Sequence, residues 1–253
     1  MAVQSKLPPP EILLEQGACL LLNKPGGLLT QGPPGIDSLE TRLKQFLKVR
    51  DSKSGKVYVG VPHRLDRPVS GVMVMVKNVR AAQRLAEQFR DRTLSKTYWA
   101  VVEGEVHPAQ GTWEDWMRKL PDEARSEIVS ADHPDAQRAV LHYEVQAKWS
   151  GRTWLKIQLE TGRTHQIRLQ ASQHGHPIYG DELYGSQHPF GPGTDDLRKR
   201  WIALHARTLE FTHPISKETV SQSAPLPTCW ESLELPTLPD VPPSSHDRTW
   251  PPG

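Results

Sequence analysis

The sequence predicts an α+β fold, with a largely antiparallel or mixed sheet and helices outside it. Segments that read as strands dominate: ACLLLNK, VYVGV, VMVMV, KTYWAVVEG, RAVLHYEVQAKW, RTWLKIQLE and RTLEF. Helical periodicity is confined to three stretches, beginning near Asp37, Asn78 and Thr164. With 253 residues, 36% of them hydrophobic, the chain is long enough for one substantial core. Many strands interrupted by a few helices form one sheet with helices packed on it.

Taken in order, ACLLLNK is an early strand ended by Pro25-Gly26-Gly27. Asp37-Ser38-Leu39-Glu40 resembles a capping box, and Leu39, Leu43, Phe46 and Leu47 then form a helical stripe. VYVGV and VMVMV flank a loop containing Pro68, Ser70 and Gly71, which predicts strand, loop, strand. Asn78 caps a second helix whose shared face is Ala82, Leu85, Ala86 and Phe89. The polar stretch from Thr112 to Pro134 reads as a long loop or connection. In RTWLKIQLE, Leu155, Ile157 and Leu159 alternate with polar residues, and Thr164 and Gly175 then bracket a short third helix. Past Ala224 the chain turns proline-rich; Trp230 and Leu233 are expected to pack on the domain. This divides the chain into an N-terminal extension (1–17), one domain (18–235) and a disordered tail (236–253).

Composition excludes several classes. The net charge is +2, so no global basic excess marks a purely electrostatic nucleic-acid binder. The longest apolar runs are too short to span a bilayer, and the N-terminus lacks a signal-peptide pattern, which points to the cytoplasm. Cys19 and Cys229 have no C-x-x-C spacing and are read as structural. Eleven histidines, including His174-Gly175-His176, occur without metal-binding spacing, so neither metal nor cofactor is expected.

Two motifs carry chemistry. In HRLDRPVSGV an extended backbone sends Arg64 and Asp66 to one side and Leu65 into the core. In TGRTHQIRLQ the start of the third helix, with Arg163 beside it, suits a phosphate, and Arg168 one turn on reaches into a cleft. Taken alone, the first motif is equally an exposed turn with a weak ion pair.

Together with LLNKPGGLL, SKTYWAVVEG, HGHPIYGDELYG and LHARTLEFTHP, in this order, these motifs resemble those of the RluA family of RNA pseudouridine synthases, from about Leu20 to Pro227. The resemblance implies the family's catalytic fold, with a long sheet flooring an RNA-binding cleft. It implies isomerisation of uridine to pseudouridine in ribosomal or transfer RNA, by a monomer without cofactor. Carried over by position, Asp66 is the catalytic aspartate, Tyr98 the active-site aromatic, and Arg168 the partner that holds the aspartate. Arg64 helps displace the target base, and Arg67, Arg163 and Lys24 contact RNA or support the site. For Lys24 the residues alone leave a phosphate contact and an ordinary surface lysine both open.

The residue types suit that chemistry. A carboxylate enclosed away from water is kept charged by a guanidinium that never loses its own charge. A tyrosine stacks on the base, and an arginine plane fills the space an everted nucleotide leaves. Two other readings stand beside this one: an RNA-binding protein without turnover, and a nucleoside hydrolase using Asp181 or Glu182 as a second carboxylate. GDELYG is otherwise a loop that braces the site. The sequence departs from the family pattern in lacking an N-terminal S4 RNA-binding domain, and in Val69 where a threonine is usual.

Overall fold

The computed structural model describes residues 7–237. In chain order its strands are β1 (Glu11–Gln16), β2 (Cys19–Lys24), β3 (Ser70–Val76), β4 (Ser95–Glu103), β5 (Gln110–Lys119), β6 (Ser126–Ile128), β7 (Gln137–Trp149), β8 (Arg152–Leu159), β9 (Leu204–Thr212) and β10 (Thr219–Ser223). Three α-helices, α1 (Leu39–Arg50), α2 (Val79–Asp91) and α3 (Gln166–Gln173), lie among them. All ten strands join one sheet in the order β1-β2-β3-β9-β4-β8-β7-β5-β6, with β10 added beside β9. Among the described residues every pairing is antiparallel except β3 with β9, which covers only Ser70–His205 and Gly71–Ala206. The α+β class with a mixed, largely antiparallel sheet is therefore the observed one.

The unbroken apolar run of β3 has a simple cause. Met73 and Met75 join Leu20 and Leu22 in the core beneath α1, while Val72, Val74 and Val76 join Cys19 and Leu21 beneath α2. With a helix on each face, neither set of alternating side chains needs to be polar. Ser38 caps α1 by accepting the Thr41 N–H, and Leu39, Leu43 and Leu47 are fully buried. Asn78 caps α2 in the same way through Ala81 N–H. Its buried face is Ala81 and Leu85, flanked by half-buried Ala82 and Phe89; Ala86 is exposed, so the expected stripe is rotated by one residue.

Other expectations change. Glu11–Gln16, placed in an N-terminal extension, forms the edge strand β1, in which the adjacent Leu13 and Leu14 and the polar Glu11, Glu15 and Gln16 leave no clean alternation. VYVGV forms no strand: only Gly60 bridges to Val76, because the segment crosses so close to α2 that a Cβ at Gly60 would lie 2.7 Å from Ala82 Cβ. The expected loop from Thr112 to Pro134 contains most of β5 and all of β6, with Trp113 and Met117 buried. Trp230 and Leu233 are each 2% exposed. The tail expectation falls, from residue 238 on, outside the described residues. Burial pushes the Cys19 and Cys229 thiols up to about 11, so neither is a ready nucleophile. Among the described residues no helix is long and apolar enough to cross a membrane.

Candidate active site

The Asp66 loop enters β3 at the parallel seam with β9. Gly71 has φ +120°, and a Cβ there would collide with the Ala206 carbonyl and sit 2.6 Å from the Ala206 nitrogen. Glycine thus permits the close approach of two backbones. Ala206 is in register with Gly71 on one side and with Tyr98 of β4 on the other. Asp66, five residues before Gly71, is thereby placed over the sheet near Tyr98.

The loop is fastened on both sides of Asp66. Thr30 Oγ1 donates to Leu65 O at 2.8 Å and accepts from Leu65 N at 3.2 Å. Lys24, with no exposed surface, donates from Nζ to the carbonyls of Leu28 (2.7 Å), Pro25 (2.9 Å) and Arg67 (3.1 Å). Burial lowers its pKa to about 7, with Asp66 pulling it back up. The expected phosphate contact by Lys24 is corrected, since a side chain with all three donors turned inward offers nothing to RNA. We expect Lys24→Met to lower kcat at least about tenfold while KM changes little, because misplacing a reacting group by an ångström costs up to about a hundredfold. Steady-state kinetics on an RNA substrate check this; a rise in KM alone would restore the phosphate reading. Leu65 is buried, Arg64 is exposed, and His63 stacks on Phe89 at 4.3 Å with Nε2 accepting Val74 N–H. Burial holds the His63 ring down to about 3, which keeps that acceptor unprotonated.

Asp66, 25% exposed, faces two groups from the start of α3: Arg168 Nη1 and His165 Nε2 each lie 3.6 Å from Asp66 Oδ2. The expected pairing of Arg168 with Asp66 is therefore secondary. The guanidinium is gripped bidentately by Asp181, with Nε to Oδ2 at 2.6 Å and Nη2 to Oδ1 at 2.7 Å, and lies over the Tyr184 ring. Burial works against its charge, but Asp181 more than offsets that, and the Arg168 pKa is raised. Asp181 is thus the brace that aims Arg168. With both oxygens engaged at 1% exposure it has none left for a leaving group, so Asp181 is not the second carboxylate of a hydrolase. Glu182 lines the same cavity as Asp66 but is paired with Arg200.

The cap of α3 is His165 rather than Thr164. It sits in the left-handed region at φ 57° without a capping side chain, and Gln166 N–H closes onto Arg163 O. The helix start is consequently less open to a phosphate than the sequence predicts. Strain at such a residue persists only where surroundings hold it. Here Tyr184 Oη accepts Ser126 N–H at 3.0 Å and lies 2.9 Å from His165 Nδ1. If that hydroxyl donates to Nδ1, the ring proton resides on Nε2, facing Asp66. Burial lowers the His165 pKa, with Asp66 opposing. GDELYG braces the site through Asp181 on Arg168 and Tyr184 beside His165, in line with the bracing loop the sequence suggests. The place of His165 at Asp66 is not legible in THQIR, because only folding joins the two segments.

Two cavities of about 680 and 830 Å³ meet at Asp66, and both are lined by Arg64, Asp66, His165 and Arg168. The first also contains Tyr98 and Arg163; the second contains Arg67. Tyr98 is 7% exposed, and among the described residues its hydroxyl has no hydrogen-bond partner. Elsewhere, His174 contacts Asp115 and His176 contacts the Glu103 carbonyl, so HGH serves two separate structural contacts.

The model of the RNA pseudouridylate synthase family matches residues 18–173, which include the Asp66 loop, Tyr98 and Arg168. The chain belongs to the RNA pseudouridine synthases, and among them to the RluA family. These isomerases convert uridine in RNA to pseudouridine. The chain is 38% identical over 226 residues to a ribosomal large subunit pseudouridine synthase D of Xanthomonas campestris, covering 87% of this chain and 66% of that one. A protein of the same description from Nitrosomonas europaea is 34% identical, covering 97% and 70%. An uncharacterised RNA pseudouridine synthase of Synechocystis is 32% identical, covering 89% and 68%. The chain thus spans about two thirds of the length of these curated relatives. Among solved structures, human RNA pseudouridylate synthase domain containing 4 superposes with a TM-score of 0.72 at 25% identity, covering 88% of this chain and 92% of that one.

Proposed function

We propose that Asp66 carries out the isomerisation, on uridine in ribosomal RNA of the large subunit. The observation that carries this is the position of Asp66 at the junction of two cavities, beside Arg168 and near Tyr98. In the reaction the C1′–N1 bond breaks and a C1′–C5 bond forms; N1 regains a proton and C5 loses one. No oxidant, reductant or second substrate is needed. Positive charge developing on the ribose is met by the Asp66 carboxylate, while Tyr98 stacks on the uracil and offers its unpartnered hydroxyl. Arg168 and His165 hold the carboxylate. Exposed Arg64, which lines both cavities, fills the stack that the uridine vacates, and Arg67 and Arg163 contact the backbone. The relatives described as ribosomal large subunit pseudouridine synthases support the choice of RNA.

The test is tritium release from ribosomal RNA transcripts labelled at C5 of uridine. We expect release with the strand intact. Free uracil would instead indicate hydrolysis, and tight binding without either product would leave a protein that only binds RNA.

A further inference from the structure

Lys96 lies two residues before Tyr98 on β4, so both side chains project from the same face into the 680 Å³ cavity. It is half-buried, with Nζ 5.7 Å from the centroid of the Phe89 ring. Its surroundings differ from those of the paired lysines Lys24, Lys44 and Lys77. Buried Lys24 has three carbonyl acceptors, and Lys44 and Lys77 pair with Glu40 and Glu15. Among the described residues Lys96 has neither a carboxylate within ion-pair distance nor a hydrogen-bond acceptor. Water is its only protein-free alternative, and burial, which lowers its pKa, limits that.

The groups nearest this ammonium add to the imbalance. A Cβ on Gly162 would lie 3.8 Å from Nζ, so the ammonium abuts the Gly162-Arg163 turn. The Arg163 guanidinium is itself partly buried, held by Nε donating to Arg138 O, and is disfavoured further by Arg92. Glu160 also borders this cavity but is engaged by Arg138. Lys96, Arg163 and Arg92 therefore line one cavity whose two carboxylates are engaged by other residues, Glu160 by Arg138 and Asp66 by Arg168 and His165. Such a cluster is unfavourable in isolation and becomes favourable when an anion enters.

We propose that Lys96, together with Arg163 and Arg92, is a phosphate site that holds the RNA phosphodiester next to the everted uridine. The inference rests on the reading of Asp66 and Tyr98 as the catalytic site and adds a point of substrate registration beside it. A phosphate fixed two residues along the strand from Tyr98 sets how deeply the nucleotide enters, whatever its neighbouring bases.

The test compares wild type with Lys96→Met on an RNA hairpin carrying one reactive uridine. In a series of otherwise identical hairpins, single linkages around that uridine are replaced by neutral methylphosphonates. We expect Lys96→Met to raise KM about tenfold and lower kcat less than about threefold. One methylphosphonate should impair wild type to the same degree and leave Lys96→Met no worse. The slope of log affinity against log salt should fall by about 0.7. Because an uncompensated ammonium is removed, the urea midpoint should hold or rise. Additive losses at every linkage, an unchanged salt slope, or a lowered urea midpoint would each overturn the assignment. Absence of turnover by wild type would instead count against the catalytic reading.

Discussion

Asp66→Asn is expected to lower the rate of tritium release from C5-labelled uridine by about four orders of magnitude or more. The substitution is nearly isosteric, and 25% of the side chain is already exposed, so the fold should not suffer. What is lost is the negative charge that faces the ribose as the nucleosidic bond breaks, and with it either the nucleophile or the base. Arg64 and the surrounding cations are untouched, so RNA affinity should hold or improve slightly as one repulsive charge disappears. Single-turnover kinetics with enzyme in excess separate the two effects. A residual rate within about tenfold of wild type would place the chemistry on another residue.

The second large effect is expected at Arg168, and it has two components. At 6% exposure, with Asp181 at 1%, removal of the guanidinium strands a carboxylate in the interior. Breaking such a buried pair typically costs about 3–5 kcal/mol, which urea unfolding of Arg168→Met should show. Turnover should fall by at least about a hundredfold, since Asp66 loses its facing cation. Combining Arg168→Met with Asp181→Leu separates these components. The double variant replaces an ion pair by apolar groups of similar volume and should recover most of the stability while remaining slow. Recovery of both stability and turnover would make the pair purely structural.

Local signals in the sequence were sufficient for the elements whose causes are local. Asn78 caps the helix it was expected to cap, α1 starts within the expected Asp37–Glu40 segment with Ser38 as its cap, and Leu65 turns inward between Arg64 and Asp66. The elements that differ do so for other reasons. β1 pairs with β2 and β5 with β6, each its neighbour in the chain, but their own residues mix Glu, Asp and Arg with apolar positions, so no clean alternation shows. Lys24 resembled a surface lysine because the carbonyl of Arg67, 43 residues away, is invisible from its neighbourhood. The choice of Arg168 between Asp66 and Asp181 is a matter of angle and distance that spacing does not encode.

The short seam between β3 and β9 has a consequence for how the enzyme tolerates change. Asp66 enters from the β3 side, whereas Tyr98 and Arg168 belong to the β4–β8 side, so the separation of the reacting groups is inherited from a two-residue junction. Gly71 keeps that junction closed by having no side chain. A methyl group there would wedge the two sides of the sheet apart, widening the gap across which catalysis operates without touching the nucleotide.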